Sequence, residues 1–399
     1  MKKLLALGLA ATLSVAGLAT LSACGMDKED LKIGFIFLHD ESSTYDKNFI
    51  DAAKAAVEEM GLTEDQVIMK TNIPEDDTCY DTAADLADSG CDIVFADSFG
   101  HEAYMMKAAE EFPDVEFCHA TGTQAHTAGL DNYHNAFATI YEGRYLAGMV
   151  AGYELKEMID NGDITADQAK MGYVGAFPYA EVVSGFTSFY LGAKSIVEEV
   201  TMTVRYTNSW YEPTAEKTTA ETLIGEGCVL ISQHADSLGA PSACEEAGVP
   251  NVSYNGSTYT TGPNTYLIHS RINWQPYFEY IIQSVIDGEK IATDWTGTLE
   301  TGSVEVSGYN DDLVSADTMA AVSLALQELK DGTRHVFDTA NFTVGGETLS
   351  SYLADVDDDG TFTKETEVIE NGIFYESKHR SAPYFDLIID GITSITSNG

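Results

Sequence analysis

IGFIFL (33–38), VIM (67–69), CDIVFA (91–96) and VEFCHA (115–120) are four apolar runs of strand length, each separated from the next by a helical pattern. Phe49, Ala52, Ala53, Ala56, Val57 and Met60 fall at helical spacing, and further helices are read near 78–89 and 101–112. Strands that are apolar on both faces and alternate with helices specify a parallel sheet covered on each side.

The pattern then restarts. A helix near 140–155 uses small residues for close packing, and the polar residues 156–169 read as a connection. MGYVGAF (171–177), TVRY (203–206), CVLISQ (228–233) and VPNVSYN (249–255) are strands, with helices near 180–198, 213–225 and 237–247 between them. The fold class is therefore α/β, with two parallel-sheet lobes and a cleft at the carboxyl ends of their strands, where open α/β sheets bind ligands. The expected lobes are 32–135 (N-terminal, with 271–300 returning to it) and 136–270 (C-terminal). Residues 301–399 form a less regular extension at the hinge or the second lobe.

Lys2 and Lys3, the apolar run 4–20 and Leu21-Ser22-Ala23 before Cys24 read as a secretory signal over 1–23, followed by a tether over 24–31. No later segment reaches the length of a membrane span. With 21 Lys+Arg against 64 Asp+Glu, the chain repels nucleic acid and anionic lipid, so no nucleic-acid partner is expected. Without Cys24, cysteines 79, 91, 118, 228 and 244 remain, in no metal-binding spacing; Cys91, Cys118 and Cys228 read as small buried hydrophobes.

Loops after strands carry function in this architecture. Here Tyr45, Phe99, Phe177 and Trp210 put rings at strand ends in both halves, and Asp40, Asp97, Asp236 and Asn255 put polar groups beside them. These loops contain no Lys or Arg except Lys47. Rings plus carboxylates suit a flat, neutral heteroaromatic ligand with N–H donors, each stacked face contributing roughly 1–3 kcal/mol. A sugar could use the same groups, whereas an amino acid would want a cation for its carboxylate. Asn135 is a further candidate, and Arg144 is readable either as ligand or as structure.

KIGFIFLHDESSTYDKNF, FADSFGHEAYMMKAAEEFPDVEFCHATG, YEGRYLAGMVAG, MGYVGAFPYAEVVSGFTSFYLGAKS, TNSWYEP and QHADSLGAPSACEEAGV resemble the basic membrane protein family of ABC-transporter substrate-binding lipoproteins, in order from about residue 32 to 290. The resemblance implies a type I periplasmic-binding-protein fold of two Rossmann-like lobes joined by a hinge. It implies a purine nucleoside or base as ligand, and permease and ATPase subunits as partners. It also implies a lipid on Cys24 that holds the protein at the extracytoplasmic face of the cell membrane. Tyr45 and Trp210 match the family's stacking aromatics, Ser98 and Phe99 its SFG loop, and Asp236 and Asn255 its polar positions in the second lobe. No residue matches the lysine that many members carry near the ribose, and the tail beyond 333 diverges.

Chemistry is otherwise sparse. Asp355, Asp357 and Asp359 precede Gly360 as in a calcium loop, but the twelfth position is Thr366, so the stretch reads as an acidic turn. No Walker, G-x-S-x-G or H-E-x-x-H motif occurs, and no cofactor, metal or catalytic group is assigned. The expected function is a membrane-anchored solute receptor for import. The alternatives are a sensory binding protein that feeds a signalling partner, and a nucleoside hydrolase.

Overall fold

The computed structural model describes residues 25–357 and 363–396. The signal and the Cys24 lipidation site lie outside the described residues. In the first half, strands β1 (Ile33–Ile36), β2 (Val67–Lys70), β3 (Ile93–Ala96), β4 (Glu116–Ala120) and β5 (Tyr133–Ala138) alternate with helices α1 (Thr44–Glu59), α2 (Asp77–Asp88), α3 (Glu102–Glu111) and α4 (Ala125–Ala128). Helix α5 (Ile140–Asn161) then leads into β6 (Lys170–Gly175), α6 (Ala180–Lys194), β7 (Thr201–Tyr206), α7 (Pro213–Gly225), β8 (Leu230–His234), α8 (Gly239–Ala247), β9 (Asn251–Tyr254) and β10 (Tyr266–Ile272). Helix α9 (Gln275–Asp287) and β11 (Asp294–Gly297) follow, then β12 (Val304–Ser307) and α10 (Ala316–Lys330). The last stretch holds two short ribbons, β13 (Leu353–Ala354) with β14 (Thr366–Glu367) and β15 (Ile369–Glu370) with β16 (Ile373–Phe374), and ends on β17 (Ile392–Ile395).

Two sheets result. The first runs β11-β5-β4-β3-β1-β2, parallel throughout. The second runs β12-β10-β9-β8-β6-β7-β17, parallel except where β12 meets β10. Each sheet has helices on both faces: α1 with α9 and α2 with α3 on the first, α5 with α6 and α7 with α8 on the second. That is why β1, β3, β8 and β9 are buried at every position. The chain crosses between lobes after β5, after β10 and after β11. β5 and β10 run whole to Ala138 and Ile272, so the expected divides after 135 and 270 fall inside strands and the crossings lie a few residues later. Helix α5 also continues through KEMIDN, which the sequence reading gave to a connection, and stops where Gly162 takes a left-handed φ of 80°.

The extension beyond α10 touches both lobes. β17 adds to the second sheet beside β7, with Ile392 opposite Met202. On the first lobe, the Ser381 backbone N–H donates to Asp294 Oδ1 at 2.8 Å. The Thr127 hydroxyl donates to the Asp357 carbonyl at 2.9 Å. All five cysteines named above are buried free thiols.

Helices α5 and α6 approach until backbones touch. A Cβ on Gly148 would lie 2.0 Å from the Phe189 carbonyl oxygen, and one on Gly192 would lie 2.0 Å from that of Tyr145. Gly148→Ala therefore forces the helices apart. The expected loss is about 2 kcal/mol or more of unfolding free energy, although alanine favours the helix by about 1 kcal/mol. Urea denaturation measures it, and an unchanged midpoint would contradict the close seam.

Candidate ligand site between the lobes

Both sheets have the order in which neighbouring strands send their connections to opposite faces, opening a crevice at β1/β3 in one lobe and β6/β8 in the other. The loops beyond these strand ends meet. Leu38 and Tyr45 come from beyond β1, Ser98 and Phe99 from beyond β3, and Thr121 from beyond β4. Glu181 comes from beyond β6, Trp210 from beyond β7, and His234 and Asp236 from the end of β8. Together they line a narrow slot of about 20 Å³, far below the roughly 300–1,000 Å³ usual for ligand sites, so a ligand can enter only where the lobes part. The lobes are in contact around it: the backbone N–H and hydroxyl of Thr44 donate to the Asp236 carbonyl at 2.9 and 3.1 Å. The Phe99 and Tyr179 rings meet across the gap at 5.5 Å.

Tyr45 is set by the start of α1. Ser43 caps that helix, and Asp46 accepts from its hydroxyl at 2.6 Å and from the His39 N–H at 2.6 Å. Burial alone would raise the Asp46 carboxyl, but the bonds from His39 and Ser43 outweigh it and hold the group below the usual range. The Tyr45 hydroxyl donates to the Asp97 carbonyl at 2.6 Å, which fixes the ring against the first lobe. Opposite, Trp210 packs edge-on to Phe177 at 5.1 Å, and Phe177 stacks on Tyr179 at 5.1 Å.

The polar side of the slot is acidic. Asp236 is buried, and its carboxylate has no hydrogen-bond partner among the described residues. Burial first, then the charges of Asp46, Glu216 and Glu181, push its carboxyl well above the ordinary range. Glu181 accepts from or pairs with His234 Nε2 at 3.3 Å. Among the described residues, no Lys or Arg lines the slot. Thr121 is a β-branched residue at a left-handed φ of 67°, and its buried hydroxyl is unpartnered. Glu102 holds this strained loop from behind, accepting from the backbone N–H groups of Thr123 and Gln124 at 2.8 and 3.0 Å and from Asn135 Nδ2 at 3.2 Å.

Of the residues expected from the sequence, Tyr45, Ser98, Phe99, Trp210 and Asp236 come together in the slot. The others are placed elsewhere. Asp40 closes its own turn, accepting from the Ser42 N–H at 3.0 Å on the outer surface. Asp97 points back into the first lobe, where Oδ1 accepts from the Leu38 N–H at 3.1 Å. Asn135 lies in the Glu102 network, and Phe177 stands behind Trp210. Asn255 sits in a left-handed turn at φ 64° after β9, away from the slot. Leu38, Thr121, Glu181 and His234 were not singled out beforehand, although all lie in or beside the strand-end segments already identified. The acidic turn is described only at its ends; there Asp355, Asp357 and Glu365 carry carboxylate oxygens within 4.8 Å of one another.

A second chamber, of about 410 Å³ and partly open to solvent, adjoins the slot and shares Phe99, Thr121 and Glu181 with it. Its far wall comes from the extension: Ala354, Asp355, Lys364, Arg380, and residues 382–384 with Asp386.

The family described as "ABC transporter substrate-binding protein PnrA-like" matches residues 33–331. A purine-binding protein of Brucella abortus (strain 2308) is 32% identical over 288 residues, which cover 71% of this chain and 77% of that protein. A putative ABC transporter glucose-binding protein of Haloferax volcanii is 34% identical over 216 residues, 54% of this chain and 51% of that one. A solved ABC-transporter solute-binding protein from Aeropyrum pernix K1 shares the fold. Its TM-score is 0.65 at 17% identity, covering 76% of this chain and 92% of that one. The fold is that of periplasmic binding proteins, and the family's members work outside the cytoplasm as solute binders, not as enzymes. With its two parallel-sheet lobes and the slot at their strand ends, this chain belongs to the Bmp family of PnrA-like ABC-transporter substrate-binding proteins.

Proposed function

We propose that the slot binds a purine, as base or nucleoside, for delivery to the membrane-embedded permease of an ABC importer and its ATPase, and that a lipid on Cys24 tethers the protein. The observation that carries this reading is Asp236: among the described residues its buried carboxylate has no partner, and no Lys or Arg lines the slot of rings it faces. A ligand that fits must bring N–H donors and a flat face, and must not bring a negative charge. A purine does so, and the Brucella relative bears the name purine-binding protein. Tyr45 and Trp210 supply ring faces from opposite lobes, and Asp236 fixes the orientation of the donors. No bond is made or broken: the lobes part, admit the solute and close on it. A monosaccharide is the second reading, supported by the name of the Haloferax relative.

Calorimetry with adenine, guanine, adenosine, inosine, guanosine and glucose tests the class. Trp210→Ala should weaken purine affinity at least tenfold, since a stacked ring contributes roughly 1–3 kcal/mol. Unchanged affinity would remove the stacking role, and binding of glucose alone would replace the purine reading with the sugar reading.

Asp236 gives a second test with a definite sign. Its native carboxyl titrates above the unfolded value of about 3.9, so the folded state holds that proton more tightly. The stability this contributes is full below the unfolded value and is lost as pH rises through the native value. Asp236→Asn should therefore melt higher than the wild type at pH 8, with the gap closing toward pH 4, while losing purine affinity. Thermal melts at both pH values check it, and a variant that melts lower at pH 8 would contradict the unpartnered burial.

A further inference from the structure

We propose that residues 25–31 are a rigid foot and not a leash, so that a lipid on Cys24 stands the receptor on one end: the amino ends of the first-lobe strands face the bilayer surface, and the second lobe is held furthest from it. This rests on the lipid-tether reading and goes beyond it by assigning the face that meets the membrane.

The segment before β1 is short and charged, with Asp27, Glu29 and Asp30 exposed, and by composition it should trail free in water. It does not. Gly25 already lies on the last turn of α9, where a Cβ would sit 2.2 Å from the Ile286 carbonyl oxygen. The Met26 N–H donates to that same carbonyl at 2.9 Å. The Lys28 ammonium donates at 2.9 Å to the carbonyl of Met60, which caps the end of α1. Gln66 Nε2, just before β2, donates to the carbonyls of Lys28 and Leu31 at 2.7 and 2.8 Å. Leu31 is fully buried. Three separate elements thus grip the segment, two of them through carbonyls at helix ends, where the helix itself supplies no donor. Adjacent Cα atoms are about 3.8 Å apart, so a group carried by the residue before Gly25 begins at this surface, with no free chain between.

The topology fixes what stands above the foot. The ends of α1 and α9 and the approach to β2 hold it at the amino end of the first sheet, whereas Leu38 and Tyr45, beyond the carboxyl end of β1, line the slot. The second sheet points its own carboxyl ends at the slot from the other side. Its amino ends, with the turn 166–168 before β6, therefore form the opposite pole. Charge acts in the same sense. Glu58 and Glu59 close α1, Asp287 closes α9, and neither helix has a basic residue in its last turn, where the helix dipole favours one. In a chain of formal net charge −43, any broad face laid against an anionic bilayer is repelled. Standing on one pole brings the least of that charge near the surface.

The test uses the full chain, expressed in a bacterium, extracted from its membranes and reconstituted in vesicles of phosphatidylcholine and phosphatidylglycerol whose headgroups carry a nitroxide quencher. Intact mass establishes the lipid first. A fluorophore is attached at Glu64→Cys, beside the foot, or at Asp167→Cys, at the opposite pole; both positions are exposed, and the native thiols at 79, 91, 118, 228 and 244 are buried. Strands β1 and β6, of 4 and 6 residues, alone place about 30 Å between the two labels, so the Glu64 label should be quenched at least about threefold more than the Asp167 label. Inserting ten Gly/Ser residues between Gly25 and Met26, a coil of about 17 Å, should free the body from its anchor and abolish the contrast. Equal quenching at the two sites of the lipidated chain, stronger quenching at Asp167, or a contrast that survives the insertion would overturn the foot and leave the lipid tether standing. A chain whose mass shows no lipid would instead overturn the tether reading, and this proposal with it.

Discussion

A single buried guanidinium organises the second lobe. Arg144, on α5, has no exposed surface. It donates to the Tyr173 hydroxyl at 2.8 Å, the Ser232 hydroxyl at 3.0 Å, and the Ser253 carbonyl and Ser270 hydroxyl at 3.4 Å each. One side chain thus reaches β6, β8, β9 and β10 at once. The Tyr254, Phe189 and Tyr173 rings surround it at 4.9, 5.2 and 5.5 Å. A charge taken out of water is costly unless its donors are met, and here only the Nε–H lacks a partner among the described residues, so helix and strands must hold their mutual height to keep the others paired. The glycine seam between α5 and α6 keeps that helix close, and the fixed end of β8 in turn sets His234 and Asp236 at the slot. The sequence left Arg144 open between ligand and structure; its contacts place it under the sheet, as structure.

The slot itself runs against stability. Asp236 stands among rings with no Lys or Arg beside it among the described residues, and Thr121 is held in a backbone region its branched side chain disfavours. Neither arrangement helps the empty protein fold. Both make sense where a ligand brings the missing donors, and the rigid Glu102 network behind the loop shows how the strain is held in place.

Much of this was legible in the chain before any coordinates. IGFIFL and CDIVFA are apolar on both faces because they lie in the middle of a covered sheet, and that signal survives without tertiary information. YHNAFA (133–138) was missed because His134 and Asn135 interrupt the apolar run. They are nonetheless buried, His134 by pairing with Glu116 at 2.7 Å and Asn135 by bonding to Glu102. The aromatic positions Tyr45, Phe99 and Trp210 were found because rings in strand-end loops are few. The acids were harder. Asp97 and Asp236 look alike in sequence, each just past an apolar strand, yet one turns inward to the Leu38 amide and the other faces the gap. That difference lies in a single residue of register after the strand. Thr121 carried no signal, since its interest is a torsion angle imposed by a network more than twenty residues long.

The extension is fastened unequally: to one lobe by a paired strand, to the other by the Ser381–Asp294 and Thr127–Asp357 hydrogen bonds. Were the lobes to part, the paired strand would keep the segment with the second lobe, while the Ser381–Asp294 and Thr127–Asp357 hydrogen bonds, about 1 kcal/mol each, would have to break.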